Sequence, residues 1–145
     1  MPDSDSIAIL TNNPLLLESS SEENELLAVD RPGLESVLQK GLELTQSGYK
    51  LLSAPLPPNV PLIRAPYRSL VMTKNSRQYD TMGIKALEKA LERVRLLNAG
   101  RVPLGSAQAN DSAYIDRDLL QRALSECRLI QTGEEAIETT SRPIP

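Results

Sequence analysis

The chain has 145 residues, 40% of them apolar and 24% charged, with a net charge of −3, and such values fit one ordinary globular domain with a single hydrophobic core. It contains no histidine, no Trp, no Phe and a single cysteine, Cys127; this excludes Ser-His-Asp and Cys-His catalysis, internal disulfides and cysteine-based metal clusters, so neither metal nor cofactor is expected. The first residues lack a basic stretch followed by an apolar one, and no apolar run approaches the roughly 18–20 residues of a membrane span, so a cytoplasmic protein without a membrane partner is expected.

SIAILT (6–11) is a short apolar run closed by the turn-forming pair Asn12-Asn13, and it reads as a buried strand. Asn13-Pro14 then carries a helix-start signature. Asn suits the N-cap, where its side-chain oxygen takes an orphan N–H, and proline suits the first helical position. ESSSEENE (18–25) is polar surface, and ELLAVD (25–30) is a second strand. After the Arg31-Pro32-Gly33 turn, Leu34, Val37, Leu38, Gly41, Leu42 and Thr45 form one stripe of an amphipathic helix. Gly48 sits at its C′ position, which needs a left-handed backbone.

YKLLSA (49–54) is the third strand and SLVMT (69–73) the fourth. Between them, residues 54–68 hold five of the eleven prolines, which marks a stiff, shaped loop rather than a linker. A long helix spans 80–98, with Ile84, Leu87, Leu91 and Val94 on its buried face. Residues 101–114 read as a loop, with a candidate short strand at RVPL. A last helix is expected to start near Asp116, with Ile115 and Leu120 as a hydrophobic staple around that cap and Leu119, Leu120, Ala123, Leu124 and Cys127 as its apolar face. Residues 132–145 lack periodicity and are expected to be a flexible tail.

This order predicts one α/β domain over 1–131. Its expected form is a three-layer sandwich with a mostly parallel sheet of about four strands and helices on both faces, a Rossmann-like arrangement. In such sheets ligands bind outside the carboxyl ends of the strands. That rule collects Thr11, Asn12 and Asn13 after the first strand, Ser53 and Pro55 after the third, and Lys74 after the fourth. The loop adds Arg64, Tyr67 and Arg68. The strand directions decide the set: a parallel fourth strand brings Lys74 to this edge, and an antiparallel one brings Arg68 instead.

These groups have plainer roles too. Thr, Asn and Ser after strands make turns and caps, Tyr67 can anchor its loop, and Cys127 at helical spacing reads as a packed small hydrophobe. TNNP has neither G-x-G-x-x-G nor a Walker lysine, so nucleotide binding of those kinds is unsupported. Asp30 and Asp80 are carboxylates with turn and cap explanations, and no diagnostic spacing pairs them.

Charge is unevenly spread. Residues 48–101 carry ten Lys/Arg against three Asp/Glu, and the rest carries six against sixteen. A basic middle can attract an anionic ligand or an acidic protein. The acidic whole and the lack of stacking aromatics argue against nucleic acid.

TNNPL near the N-terminus, GYKLLSAPL, PYRS and an apolar strand ending in Thr-Lys together resemble the GrdX family, small proteins encoded with glycine, sarcosine and betaine reductase systems of anaerobic bacteria. The resemblance covers residues 7–99 and rests on Thr11, Asn12, Asn13, Pro14, Gly48, Leu51, Leu52, Pro55, Leu56, Pro66, Tyr67 and Ser69. It implies a cytoplasmic accessory protein of selenium-dependent amino-acid reduction, with a reductase-complex protein as candidate partner. The reading that follows is a non-catalytic protein with a small-anion or amino-acid-like ligand at the strand edge. The alternatives are a carboxylate- or lysine-based enzyme, or an interaction module using the proline-rich loop. Self-association is a further expectation.

Overall fold

A computed structural model describes residues 7–18, 24–57, 66–74, 79–98 and 106–140, with side chains of the last stretch described over 110–127. Arg64 and the candidate strand at RVPL lie outside these residues. The elements are β1 (Ile7–Thr11), α1 (Pro14–Glu18), β2 (Glu25–Ala28), α2 (Leu34–Gln46), β3 (Lys50–Leu51), β4 (Ser69–Thr73), α3 (Thr81–Asn98) and α4 (Ser106–Thr140).

Local sequence accounts for most boundaries. Asn13 caps α1: the Leu15 N–H donates to its Oδ1 at 3.0 Å, and the Leu16 and Leu17 N–H groups reach its carbonyl. Gly48, at φ 111°, closes α2 in a Schellman turn, with Tyr49 N–H bonded to Leu44 O at 3.0 Å and Gly48 N–H to Thr45 O at 3.3 Å. Asp80 caps α3 through Gly83 N–H at 3.0 Å. Its other oxygen accepts the Leu51 N–H, also at 3.0 Å, so the cap also satisfies a donor of the edge strand β3.

The sheet order is β2-β1-β4-β3. β1 and β2 are parallel, but β4 runs antiparallel to both of its neighbours. The expected mostly parallel sheet is therefore corrected to a mixed one, in which two of the three pairings are antiparallel. A parallel return needs a crossover of a dozen or more residues, usually a helix. An antiparallel return needs no such crossover, and the chain comes back beside β3 in the opposite direction. β3 is also shorter than expected: the N–H groups of Leu52 and Ser53 both point at the Val71 carbonyl, which ends the regular ladder.

Period-2 alternation divides the sheet's side chains between two clusters. Leu10, Leu70 and Met72 pack with Leu34, Val37 and Leu38 of α2 and with Leu87, Ala90, Leu91 and Val94 of α3. Ile9 and Val71 turn the other way, onto Leu120 of α4, with Leu16, Ala123, Leu124 and Cys127 around them. Gly41 lets α2 lie close to the sheet, since a Cβ there would sit 3.3 Å from Leu70 Cδ1 and 3.4 Å from Leu10 Cδ2.

α4 begins at Ser106, ten residues before the expected start. The capping signature around Asp116 misleads because its carboxylate does not cap a helix. It reaches across to β4 from within α4.

Candidate functional site

Antiparallel pairing sets Thr11 opposite Ser69, so the residues leaving β1 lie beside those entering β4. Arg68 thereby joins the rim and Lys74 leaves it. Lys74, after the far end of β4, is exposed and ion-paired with Glu25 at 2.6 Å. Glu25's hydrogen bond and charge push the lysine pKa up.

The rim is a buried polar knot centred on Asp116, which is 4% exposed. Its Oδ1 accepts the Ser69 N–H at 2.9 Å, and its Oδ2 accepts the Ser69 hydroxyl at 2.6 Å and the Asn13 side-chain amide at 3.0 Å. Because Ser69 donates to the carboxylate, the 2.8 Å bond between the two hydroxyls must run from Thr11 to Ser69. Thr11 in turn accepts the Asn13 N–H at 3.0 Å. The same Asn13 amide also donates to the Ala113 carbonyl at 2.8 Å, tying β1 to α4 a second time.

Asn12 performs a different junction. Its amide nitrogen donates to the carbonyls of Arg31 at 2.9 Å, Gly33 at 3.2 Å and Pro66 at 2.8 Å, and its Oδ1 accepts the Arg68 N–H at 2.9 Å. The β2–α2 turn and the end of the proline-rich loop are therefore held by one side chain. Gly33 N–H adds a 2.6 Å bond to Pro66 O. Thr11, Asn12 and Asn13 thus fulfil the turn-and-cap role, and their polar atoms are engaged within the protein.

Arg68 stands apart. It is only 6% exposed. Its Nε donates to Pro55 O at 3.2 Å and its Nη2 to Ala54 O at 2.5 Å. The ion pairs found among the described residues, Lys74–Glu25, Arg95–Glu35 and Arg122–Asp118, do not include it. Burial pushes its pKa down, and the more distant charge of Asp116 opposes that shift only partly. Burying a cation without a bonded carboxylate is expensive, and a guanidinium has five N–H groups, of which two are used here among the described residues.

Arg68 lines a groove of about 340 Å³ between the β3–β4 edge and α4. Leu52, Leu56, Leu119, Leu120, Ala123 and Cys127 supply its apolar walls, with Ser53, Ser69, Arg122 and Glu126 as the polar members. Ser53 Oγ accepts the Val71 N–H at 2.9 Å, which leaves its hydroxyl hydrogen without an acceptor among the described residues. On the other side of Arg68, Tyr67, Pro57, Ile115 and Asp116 enclose a water-sized cavity of about 10 Å³. Tyr67 is half-buried there, as a loop anchor would be. Pro55 contributes its carbonyl to Arg68 rather than its ring to the groove.

Sequence reasoning missed Asp116 and Ser69. The available signal was a charged residue on a buried stripe, since Asp116, Leu120, Ala123, Leu124 and Cys127 fall at i, i+4, i+7, i+8 and i+11. Cys127 packs with Leu120 as expected, and burial followed by the charge of Glu126 pushes its thiol pKa up. Asp30 is exposed at the far end of β2 from Glu25. Among the described residues, no group of His, Cys, Asp and Glu could hold a metal ion, and no helix is long and apolar enough to cross a membrane.

In comparison with known families, the chain matches the family described as GrdX-like protein over residues 8–125. The matched region continues past residue 99 into α4 and includes Asp116. No curated protein and no solved structure matches the chain.

Proposed function

The chain belongs to the GrdX-like family, and we propose that it is a non-catalytic accessory protein of glycine, sarcosine or betaine reductase metabolism that binds a small anionic or amino-acid-like ligand beside Arg68. The family name motivates the metabolic context. The ligand reading is carried by one observation, a buried arginine, 6% exposed as a residue, that lines an open groove with no carboxylate bonded to it among the described residues. An arriving anion would supply the missing counter-charge, in a setting where charge-assisted hydrogen bonds are strong. Asp116, the buried carboxylate behind Arg68, already accepts three hydrogen bonds, which suits a fixed scaffold better than proton transfer. Thr11, Asn12 and Asn13 then act by positioning, and Arg68 and Ser53 by contact.

A thermal-shift screen of inorganic anions, carboxylates, glycine and betaine tests this, run on the wild type and on Arg68→Met. A ligand at a hundred times its Kd stabilises by about 2.7 kcal/mol, or about 5–10 °C at this chain length. The wild type should show such a rise with at least one compound and Arg68→Met should not. A wild type whose melting temperature no compound raises would end the ligand reading.

A further inference from the structure

We propose that the groove selects a monocarboxylate with a short alkyl chain, over phosphate and over zwitterionic amino acids. This rests on the anion-site reading above and narrows it from the donors and walls that the groove presents.

The donors come first. Toward the groove the protein offers the hydroxyl of Ser53 and the guanidinium N–H groups of Arg68 that have no partner among the described residues, while Arg122, the other cation of the lining, is exposed and paired with Asp118. Backbone donors nearby are already engaged: Leu52 and Ser53 N–H with Val71 O, and Ser69 N–H with Asp116. The N-terminus of α1 is occupied by Asn13's own side chain. Two donor groups match a planar carboxylate, which a guanidinium grips through parallel N–H bonds. A phosphate carries more charge and more acceptor oxygens than this pair can serve, and the backbone cradle that phosphate sites use is missing among the described residues. One buried positive charge balances one negative charge. A dianion would leave a net charge in an apolar cleft, with Asp116 behind Arg68 opposing it, since the exposed Arg122 and Glu126 of the wall offset each other.

The walls choose the rest of the molecule. Leu52 and Leu56 come from the sheet side and Leu119, Leu120 and Ala123 from α4. An ammonium held against these apolar side chains would lose its water, and the one carboxylate of the lining, Glu126, is an exposed group rather than part of that apolar wall, so the exchange is costly. Methylene groups there gain instead, about fourfold in affinity for each one buried. A volume of about 340 Å³ lies at the small end of ligand sites, so the gain should stop after a few carbons.

Isothermal titration of the full chain at pH 7 and fixed salt tests the proposal, with acetate, butanoate, hexanoate, glycine, betaine and inorganic phosphate as probes. The expected result is tightening from acetate through butanoate by about fourfold per methylene, with glycine, betaine and phosphate at least tenfold weaker than butanoate. Arg68→Met should lose butanoate binding. Ala123→Phe, which fills the cleft without touching the guanidinium partners, should abolish the chain-length dependence and so stands in if Arg68→Met fails to fold. Phosphate or glycine binding more tightly than butanoate, or affinities independent of chain length, would overturn the monocarboxylate assignment and leave the anion site standing. Absence of binding by every probe would overturn both.

Discussion

Replacing Asp116 should unfasten β1 and β4 from α4. Its two oxygens accept three hydrogen bonds, from Ser69 N–H, the Ser69 hydroxyl and the Asn13 amide, at 2.9, 2.6 and 3.0 Å. A buried donor stripped of its acceptor costs about 1–3 kcal/mol. The three share one network, so their losses do not simply add, and removal of one partner from a buried charged cluster costs about 3–5 kcal/mol. Asp116→Ala should therefore lower stability by about 3–5 kcal/mol, or about 6–20 °C in melting temperature at this length. Asp116→Asn keeps the shape but supplies one acceptor oxygen. Turned one way, its amide faces the Ser69 N–H; turned the other, it faces the Asn13 amide and the Ser69 hydroxyl, which can rotate to accept. One donor is orphaned either way, for about 1–3 kcal/mol. Urea unfolding of the wild type and both variants at pH 7, followed by circular dichroism and checked for equal m-values, gives the order. An Asp116→Asn variant as stable as the wild type would refute the network as drawn.

Asn12→Asp, isosteric with the native residue, replaces an amide whose two N–H groups are shared among three carbonyls by an oxygen that those carbonyls repel; it should destabilise more than Asn12→Ala, which is expected to lose about 2–4 kcal/mol in the same urea assay. Lys74→Ala should stay within about 0.5 kcal/mol of wild type, because its ion pair with Glu25 is exposed. The Cys127 thiol, held neutral by burial, should react with a disulfide reagent at pH 8 more slowly than a thiol in an unfolded peptide. Its raised pKa favours folding below the ordinary thiol range and loses that effect as pH rises above about 9, so Cys127→Val should flatten the alkaline limb of the stability profile. Arg68→Met without ligand should match or exceed wild-type stability, since it ends the burial of a cation whose side chain is bonded, among the described residues, to two carbonyls; a loss of about 2 kcal/mol or more in urea unfolding would mark Arg68 as a structural clip for residues 54–55.

What was legible in the sequence was local. The strand run IAILT, the Asn13-Pro14 cap, the apolar stripe from Leu34 to Thr45 with Gly48 after it, and the Leu87–Val94 face all follow from near-neighbour chemistry, and the corresponding elements form within a few residues of their expected bounds. Strand direction was not legible, because buried strands read as the same apolar run whichever way they point. That single choice decided whether Arg68 or Lys74 belonged to the rim. The start of α4 was misplaced because Asp116 carries an N-cap's residue type while its partners, Ser69 and Asn13, lie 47 and 103 residues away. A long-range hydrogen bond leaves no period in the sequence. The one trace was a carboxylate on an otherwise apolar stripe.

The rim combines two opposite treatments of polar groups within a few ångströms. Around Asp116 and Asn12 the side-chain donors meet acceptors, and the order of donation through Asn13, Thr11 and Ser69 into the carboxylate is fixed at both ends. Such a network holds its members in one geometry. Arg68, bonded at its backbone N–H to that framework through Asn12, has its side chain in the groove with two carbonyls for partners. A sequence selected for stability alone would place an apolar residue there, since a well-packed hydrophobe commonly equals or outperforms a buried ionic group. Departures from that rule concentrate where a protein meets a ligand. The proline-rich loop belongs to the same design. Its beginning gives the Ala54 and Pro55 carbonyls that orient the guanidinium, and its end gives the Pro66 carbonyl that Asn12 holds. The described ends of the loop hold the arginine, and the guanidinium N–H groups without a partner among the described residues are left to the groove.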